Sequence, residues 1–148
     1  MSLKSRPPRM RSWLFAPGDS ERKMQKAISS YADIVLLDLE DSVAPNQKNR
    51  ARYLVSEFLS KLEDRARTWV RINPLGSDDC DADLKAIMAF APGGIFLPKA
   101  EGRADIEELD GKLTKLELEN SIQQGSTLVA ALVTETAKAM FNCGDYQN

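Results

Sequence analysis

The sequence contains no histidine and only two cysteines. Without histidine there is no Ser-His-Asp triad, no Cys-His pair and no His-ligated zinc. Cys80 and Cys143 lie far apart and in no metal-spaced pair, which reads as free thiols in a reducing compartment. No apolar run approaches the ~20 residues that a membrane helix needs. The basic start "MSLKSRPPRMR" is followed by no long apolar signal core, so the chain is read as cytoplasmic, with no membrane partner. A net charge of −2 supplies no basic field for nucleic acid. Any catalysis must therefore use carboxylates, lysine, arginine, tyrosine or a bound metal. That metal would be a hard, oxygen-liking one such as Mg2+.

What is present is a globular composition, 43% hydrophobic and 28% charged over 148 residues. That length fits a single domain, 1–148. Short apolar runs alternate with amphipathic segments. Strands are expected at 12–16 ("SWLFA"), 33–39 ("DIVLLDL"), 68–74 ("TWVRINP"), 94–99 ("GIFLPK") and 127–135 ("TLVAALVTE"). Between them, Met24, Ala27, Ile28 and Tyr31 form a helical stripe capped by Asp19 or Ser20. Ala51, Leu54, Val55, Phe58, Leu59 and Leu62 form another. Leu84, Ile87 and Met88 face inward on a helix from about Asp81 to Ala91, and Ile106, Leu109, Leu113 and Leu116 share one side of a long helix. The unbroken apolar character of the second strand suits burial on both faces.

This is a βα unit repeated about five times, an α/β chain with a parallel sheet. Two architectures fit it: an open doubly wound sheet, or part of a (β/α)8 TIM barrel. The first turn, "FAPGDSER", has one glycine, which weighs against a dinucleotide-binding Rossmann fold.

In parallel α/β folds ligands bind where strands end. The strand ends here deliver Pro17-Gly18-Asp19, then Asp38, Glu40 and Asp41, then Arg71 and Asn73, then Lys99 near Glu101, then Glu135. Arg71 sits inside an apolar strand, where a charge is costly unless it is paired or used. It is either one half of an ion pair with Glu40, Asp41 or Glu135, or a planar fork for a substrate carboxylate. Glu135 reads as a helix N-terminal acid or as a metal ligand. Asp38, Glu40 and Asp41 read as a solvated turn or as groups around a cation. Lys99 reads as a surface lysine, an ion pair with Glu101 or a Schiff-base lysine. Arg22 and Lys26 share a helix face, either solvated or holding the phosphates of a bulky anion.

Five segments, "RSWLFAPGDSERKMQKA", "ADIVLLDLEDSVAP", "WVRINPL", "GIFLPKAE" and "LVTETAKA", occur in order. Together they closely resemble the citrate lyase β-subunit family, also called the HpcH/HpaI aldolase/citrate lyase family, over nearly the whole chain. The resemblance implies a (β/α)8 barrel in a homo-oligomer, usually a trimer or hexamer. It implies cleavage of a carbon–carbon bond in a short acyl-CoA thioester of the citryl-, malyl- or citramalyl-CoA type, giving acetyl-CoA and a 2-oxo acid with Mg2+. It makes Arg71 the ligand of the substrate carboxylate and Glu135 a magnesium ligand lying against the substrate. Glu40 and Asp41 become groups that order metal-bound water. Phe15, Arg22 and Lys26 fall where relatives contact the CoA portion. Lyase chemistry of this kind requires no histidine.

A complete barrel needs about 250 residues, and about five βα units are recognisable here. In relatives a later Gly-x-x-Asp segment brings a second magnesium carboxylate, and a C-terminal segment covers the site; neither is seen in this sequence. The expectation is therefore a fragment of a lyase, a remnant whose sheet still folds, or a half-barrel that pairs with a second copy. On its own it would self-associate and show weak or absent lyase activity. The competing readings are a non-catalytic protein that binds CoA or an oxo acid, and an aldolase acting on free hydroxy-oxo acids.

Overall fold

The structure, a computed structural model, describes residues 9–147. Most of the basic N-terminal stretch lies outside these residues. Five strands, β1 (Trp13–Pro17), β2 (Ile34–Asp38), β3 (Thr68–Arg71), β4 (Gly94–Leu97) and β5 (Leu128–Ala131), form one sheet. Every pairing is parallel and the order is β1-β2-β3-β4-β5. Helices α1 (Glu21–Ile28), α2 (Lys48–Ser60), α3 (Asp78–Met88), α4 (Arg103–Glu119) and α5 (Ala137–Phe141) follow the strands in turn. A doubly wound sheet reverses its strand order at a switch point. This sheet never reverses, so the chain has the α/β fold of the (β/α)8-barrel family, represented by five βα units.

Strand alternation divides the apolar residues into two layers. Val35, Leu37, Val70, Ile95 and Leu97 face the helices and pack with Val55, Leu59, Leu84, Ile87 and Leu109, all essentially inaccessible to solvent. On the other face Ile34, Leu36 and Trp69 pack with Trp13, Phe96 and Ala130. The ring of Trp13 meets Trp69 edge-on at 5.0 Å between centroids. Gly94 is required beneath Trp69, because a Cβ there would lie 2.6 Å from the indole ring. At the opposite end of the same face the apolar side chains give way to Asp38 and Arg71, which are register partners across β2 and β3.

Elements end earlier or start earlier than the periodicity suggests, for identifiable reasons. β5 stops at Ala131 and not at Glu135, because its neighbour β4 runs into Pro98 and then turns at Lys99, whose φ is 53°. The last ladder bond there is Leu132 N–H to Leu97 O, 2.9 Å. α3 begins at Asp78 and not Asp81, with Asp78, Asp79 and Asp81 all in the first turn, where the helix dipole favours negative charge. α1 ends at Ile28, so Tyr31 falls beyond its last turn and is fully exposed instead of completing the stripe. Ser20 takes the N-cap position of α1 without a side-chain capping bond.

Candidate functional site

The C-terminal ends of β2, β3 and β4 carry a cluster of acids and bases. It is built outward from Asp38, the last residue of β2, which is 1% exposed. Its Oδ1 accepts hydrogen bonds from Arg71 Nε at 2.7 Å and from the Glu40 backbone N–H at 2.9 Å. Its Oδ2 accepts from Arg71 Nη2 at 2.7 Å and from the Ser42 N–H at 3.0 Å. Burial pushes the Asp38 carboxyl upward, but Arg71, Ser42 and Glu40 together outweigh this and hold it below the usual aspartate range. The same pairing, with Glu40 and Asp41 nearby, overcomes burial and keeps Arg71 firmly charged.

Arg71 therefore resolves as an ion pair, though its partner is Asp38 together with Glu40. Its Nη1 lies 3.1 Å from Glu40 Oε2, close enough to attract but poorly aligned as a hydrogen bond, and that oxygen is buried without a hydrogen-bond donor among the described residues. The guanidinium also lies over the Phe15 ring, 4.7 Å from its centroid. One edge of the fork is thus fixed by Asp38. The other edge, bearing Nη1, faces Glu40.

Glu40 is itself held from three sides. Its N–H is bound by Asp38, and its carboxylate contacts the Lys99 ammonium and the Arg71 guanidinium. Its carbonyl, with that of Leu39, accepts from Lys48 Nζ, each at 2.7 Å. The third bond of that ammonium goes to Asn73 Oδ1, 2.8 Å. Asn73 in turn donates to Asp83 Oδ2 from both its backbone N–H and its side-chain amide, and Arg52 closes the chain on Asp83 Oδ1. Burial pushes the Asp83 carboxyl up in spite of these donors. Asp83 and Lys48 carried sequence signals that went unread. Asp83 places a charge on the buried side of α3, and Lys48 places a cation at the N-terminus of α2, where the helix dipole disfavours it.

Lys99 does not pair with Glu101, which instead binds Lys138 and Thr136. Its ammonium reaches Glu40 and stands 3.7 Å from Asp41 Oδ1, and the Glu40 contact is the main reason it holds its proton more tightly than an ordinary lysine. Its backbone N–H donates to Glu135 Oε2 at 2.7 Å. Glu135 thus stands at the same rim, on the loop before α5 and not at a strand end, and it makes no ion pair with Arg71. Thr136, next in sequence, caps α5 by accepting from the Ala139 N–H.

Lys26 borders a groove of about 280 Å³ along β1 and α1, with Phe15, Pro17 and Lys23 among its walls. Arg22 is on the same helix but does not line that groove, and neither Arg22 nor Lys26 pairs with a described acid. Phe15, 47% exposed, joins the groove to the Arg71 cluster.

Four carboxylates, Asp38, Glu40, Asp41 and Glu135, face two side-chain cations at this rim, a surplus of negative charge that suits a cation. All the donors are hard oxygens, and Glu40 Oε2 is buried and unbonded. No three of the described carboxylates converge on one point. Mg2+ usually takes one or two carboxylates and draws the rest from water and substrate oxygens, and Glu40, Asp41 and Glu135 are the rim carboxylates that could hold it.

Residues 11–145 match the family model HpcH/HpaI aldolase/citrate lyase. The chain belongs to this family. It is 32% identical over 124 residues to the citrate lyase subunit beta of Haemophilus influenzae, covering 83% of this chain and 43% of that protein. To the mitochondrial citramalyl-CoA lyase of Rattus norvegicus it is 32% identical over 135 residues, 89% of this chain and 39% of that one. Among solved structures it superimposes on the Mycobacterium tuberculosis protein CitE in complex with magnesium, acetoacetate and coenzyme A, with a TM-score of 0.68 and 33% identity. That match covers 93% of this chain and 45% of CitE. The chain thus spans less than half the length of these relatives. No described helix is long and apolar enough to cross a membrane.

Proposed function

We propose that residues 1–148 form the N-terminal part of a barrel that acts as a magnesium-dependent carbon–carbon lyase. Its substrate is a short 3-hydroxy-acyl-CoA of the citryl-, malyl- or citramalyl-CoA type, and its products are acetyl-CoA and a 2-oxo acid. The observation that carries this reading is Arg71, buried, locked by Asp38 and presenting its Nη1 edge to the rim where Glu40, Asp41 and Glu135 gather. The names of the relatives, and a CitE structure holding magnesium, acetoacetate and coenzyme A, support it.

Arg71 binds the substrate carboxylate through its Nη1 edge, with Asp38 and Phe15 fixing the plane of the fork. Glu135 would hold the magnesium, and Glu40 and Asp41 would order the water around it. When bound, the metal polarises the hydroxyl and carbonyl oxygens that become the oxo acid. Cleavage removes the hydroxyl proton and breaks the carbon–carbon bond. The electron pair passes to the thioester α-carbon, which takes up a proton as acetyl-CoA. Phe15 and Lys26 line the groove that would take the CoA portion, and Arg22, on the same helix outside that groove, would meet its phosphates. The strands β1 and β5 each pair on one side only among the described residues, the two edges at which further strands would close the barrel; a homo-oligomer, which the family resemblance implies, is proposed beside it.

The test is turnover of citryl-, citramalyl- and malyl-CoA by a complete barrel that carries these residues, with Mg2+ and with chelator. Metal-dependent release of acetyl-CoA from one of them is expected. Binding of oxaloacetate or pyruvate with no turnover of any thioester would refute the lyase reading. It would favour a CoA- or oxo-acid-binding protein, the alternative to which the engaged Arg71–Asp38 fork lends weight.

A further inference from the structure

Lys99 has a backbone that its residue type disfavours. Its φ of 53° lies in the left-handed region, which glycine adopts freely and side-chain-bearing residues seldom do. The turn alone would be better served by glycine. What glycine lacks is the ammonium.

That conformation aims the two ends of one residue at different acids. The backbone N–H binds Glu135 Oε2 at 2.7 Å, while the side chain reaches back to Glu40 and to within 3.7 Å of Asp41. These are the three carboxylates to which the cation reading above assigns work. Glu40 is 3% exposed, and its second oxygen has no hydrogen-bond donor among the described residues. The charged groups facing the Lys99 ammonium from neighbouring elements are Glu40, Asp41 and Glu135, with Arg71 across Glu40.

We propose that Lys99 is a resident cation that competes with the metal for the Glu40–Asp41–Glu135 rim, and so sets both the strength and the charge selectivity of metal binding. This rests on the cation reading of the rim. An ammonium already holds the site for single charges, so Na+ or K+ gains nothing by displacing it. A divalent ion gains twice the attraction and turns the lysine outward, toward the solvent that it already partly meets. Lys99 thereby keeps the buried Glu40 neutralised whenever the metal is away, and protects the rim from monovalent salts.

The experiment is a calorimetric titration of the full chain with Mg2+ at fixed ionic strength, comparing the parent with Lys99→Met and Lys99→Arg. Removing one positive charge at contact distance predicts Mg2+ binding about tenfold tighter in Lys99→Met, with Lys99→Arg close to the parent. Lys99→Gly, which keeps the turn and drops the ammonium, should follow Lys99→Met and guards against a folding artefact. The Lys99 ammonium resonance, followed by nitrogen-edited NMR, should shift on adding Mg2+ and not on adding K+. Unchanged or weaker Mg2+ binding in both neutral variants, with the parent binding Mg2+ normally, overturns the role of Lys99 and leaves the lyase reading standing. Absence of Mg2+ binding in the parent and in every variant overturns both.

Discussion

Replacing Asp38 with asparagine isolates the group that holds the site together. The swap conserves volume and shape, so it leaves no cavity. It does convert one of two acceptor oxygens, each of which receives two donors, into a donor itself. Whichever way the amide turns, two N–H groups then face an N–H. Arg71 is only 9% exposed and cannot recover its lost partner from water. Removing one member of a buried pair costs about 3–5 kcal/mol. Arg71 keeps Glu40 at 3.1 Å, which places the loss near ~3 kcal/mol. For a chain of this size that lowers Tm by about 10 °C, readable by circular dichroism. The double variant Asp38→Leu with Arg71→Met, in which no charge is left alone, should be less destabilised than Asp38→Leu by itself. The pair also sets an acid limb. The Asp38 carboxyl is depressed in the folded state, so its contribution is present above the unfolded value of about 3.9. It is lost as pH falls through the folded value, and urea midpoints between pH 5 and 3 should fall less steeply in Asp38→Asn than in the parent. A Tm within about 2 °C of the parent, or simple additivity in the double variant, would refute the reasoning.

Two further outcomes are expected. Lys48→Met leaves Asn73 Oδ1 without a donor, while the Leu39 and Glu40 carbonyls keep one donor each, from Asn73 Nδ2 and the Val43 N–H; it should cost about 1–2 kcal/mol in urea unfolding, and no measurable loss would mean that the strut is idle. The Cys80 thiol, its pKa pushed up to about 11 by burial, should resist a thiol reagent in the native chain, while the exposed Cys143 reacts at once. Equal labelling rates would contradict the packing around α3.

The helices and strands were legible because each is a local pattern. The stripe Ala51, Val55, Phe58 and Leu59 needs only a period of 3.6, and "IVLLD" needs only a run that suits burial on both faces. The residue types at the strand ends were legible too, since they follow the apolar runs directly. A missing histidine narrowed the chemistry before any fold was known. The strand order was not legible, because βα alternation is common to the doubly wound sheet and the barrel, and only the pairing of β1 through β5 without reversal separates them. Nor were the partners. Arg71 faced three candidate acids in sequence, and the register that sets Asp38 opposite it made Asp38 the holder. Lys99 had Glu101 two residues away, yet a left-handed turn sent its side chain across the sheet to Glu40. Lys48 and Asp83 lie on two different helices, and only tertiary packing carries them to the two ends of one hydrogen-bonded strut. The sequence determined which groups reach the rim, because alternation along a strand is a one-dimensional property. The tertiary structure decided which groups touch, because a charge takes its partner from whatever lies within a few ångströms, and that neighbourhood is set by strands distant in the chain.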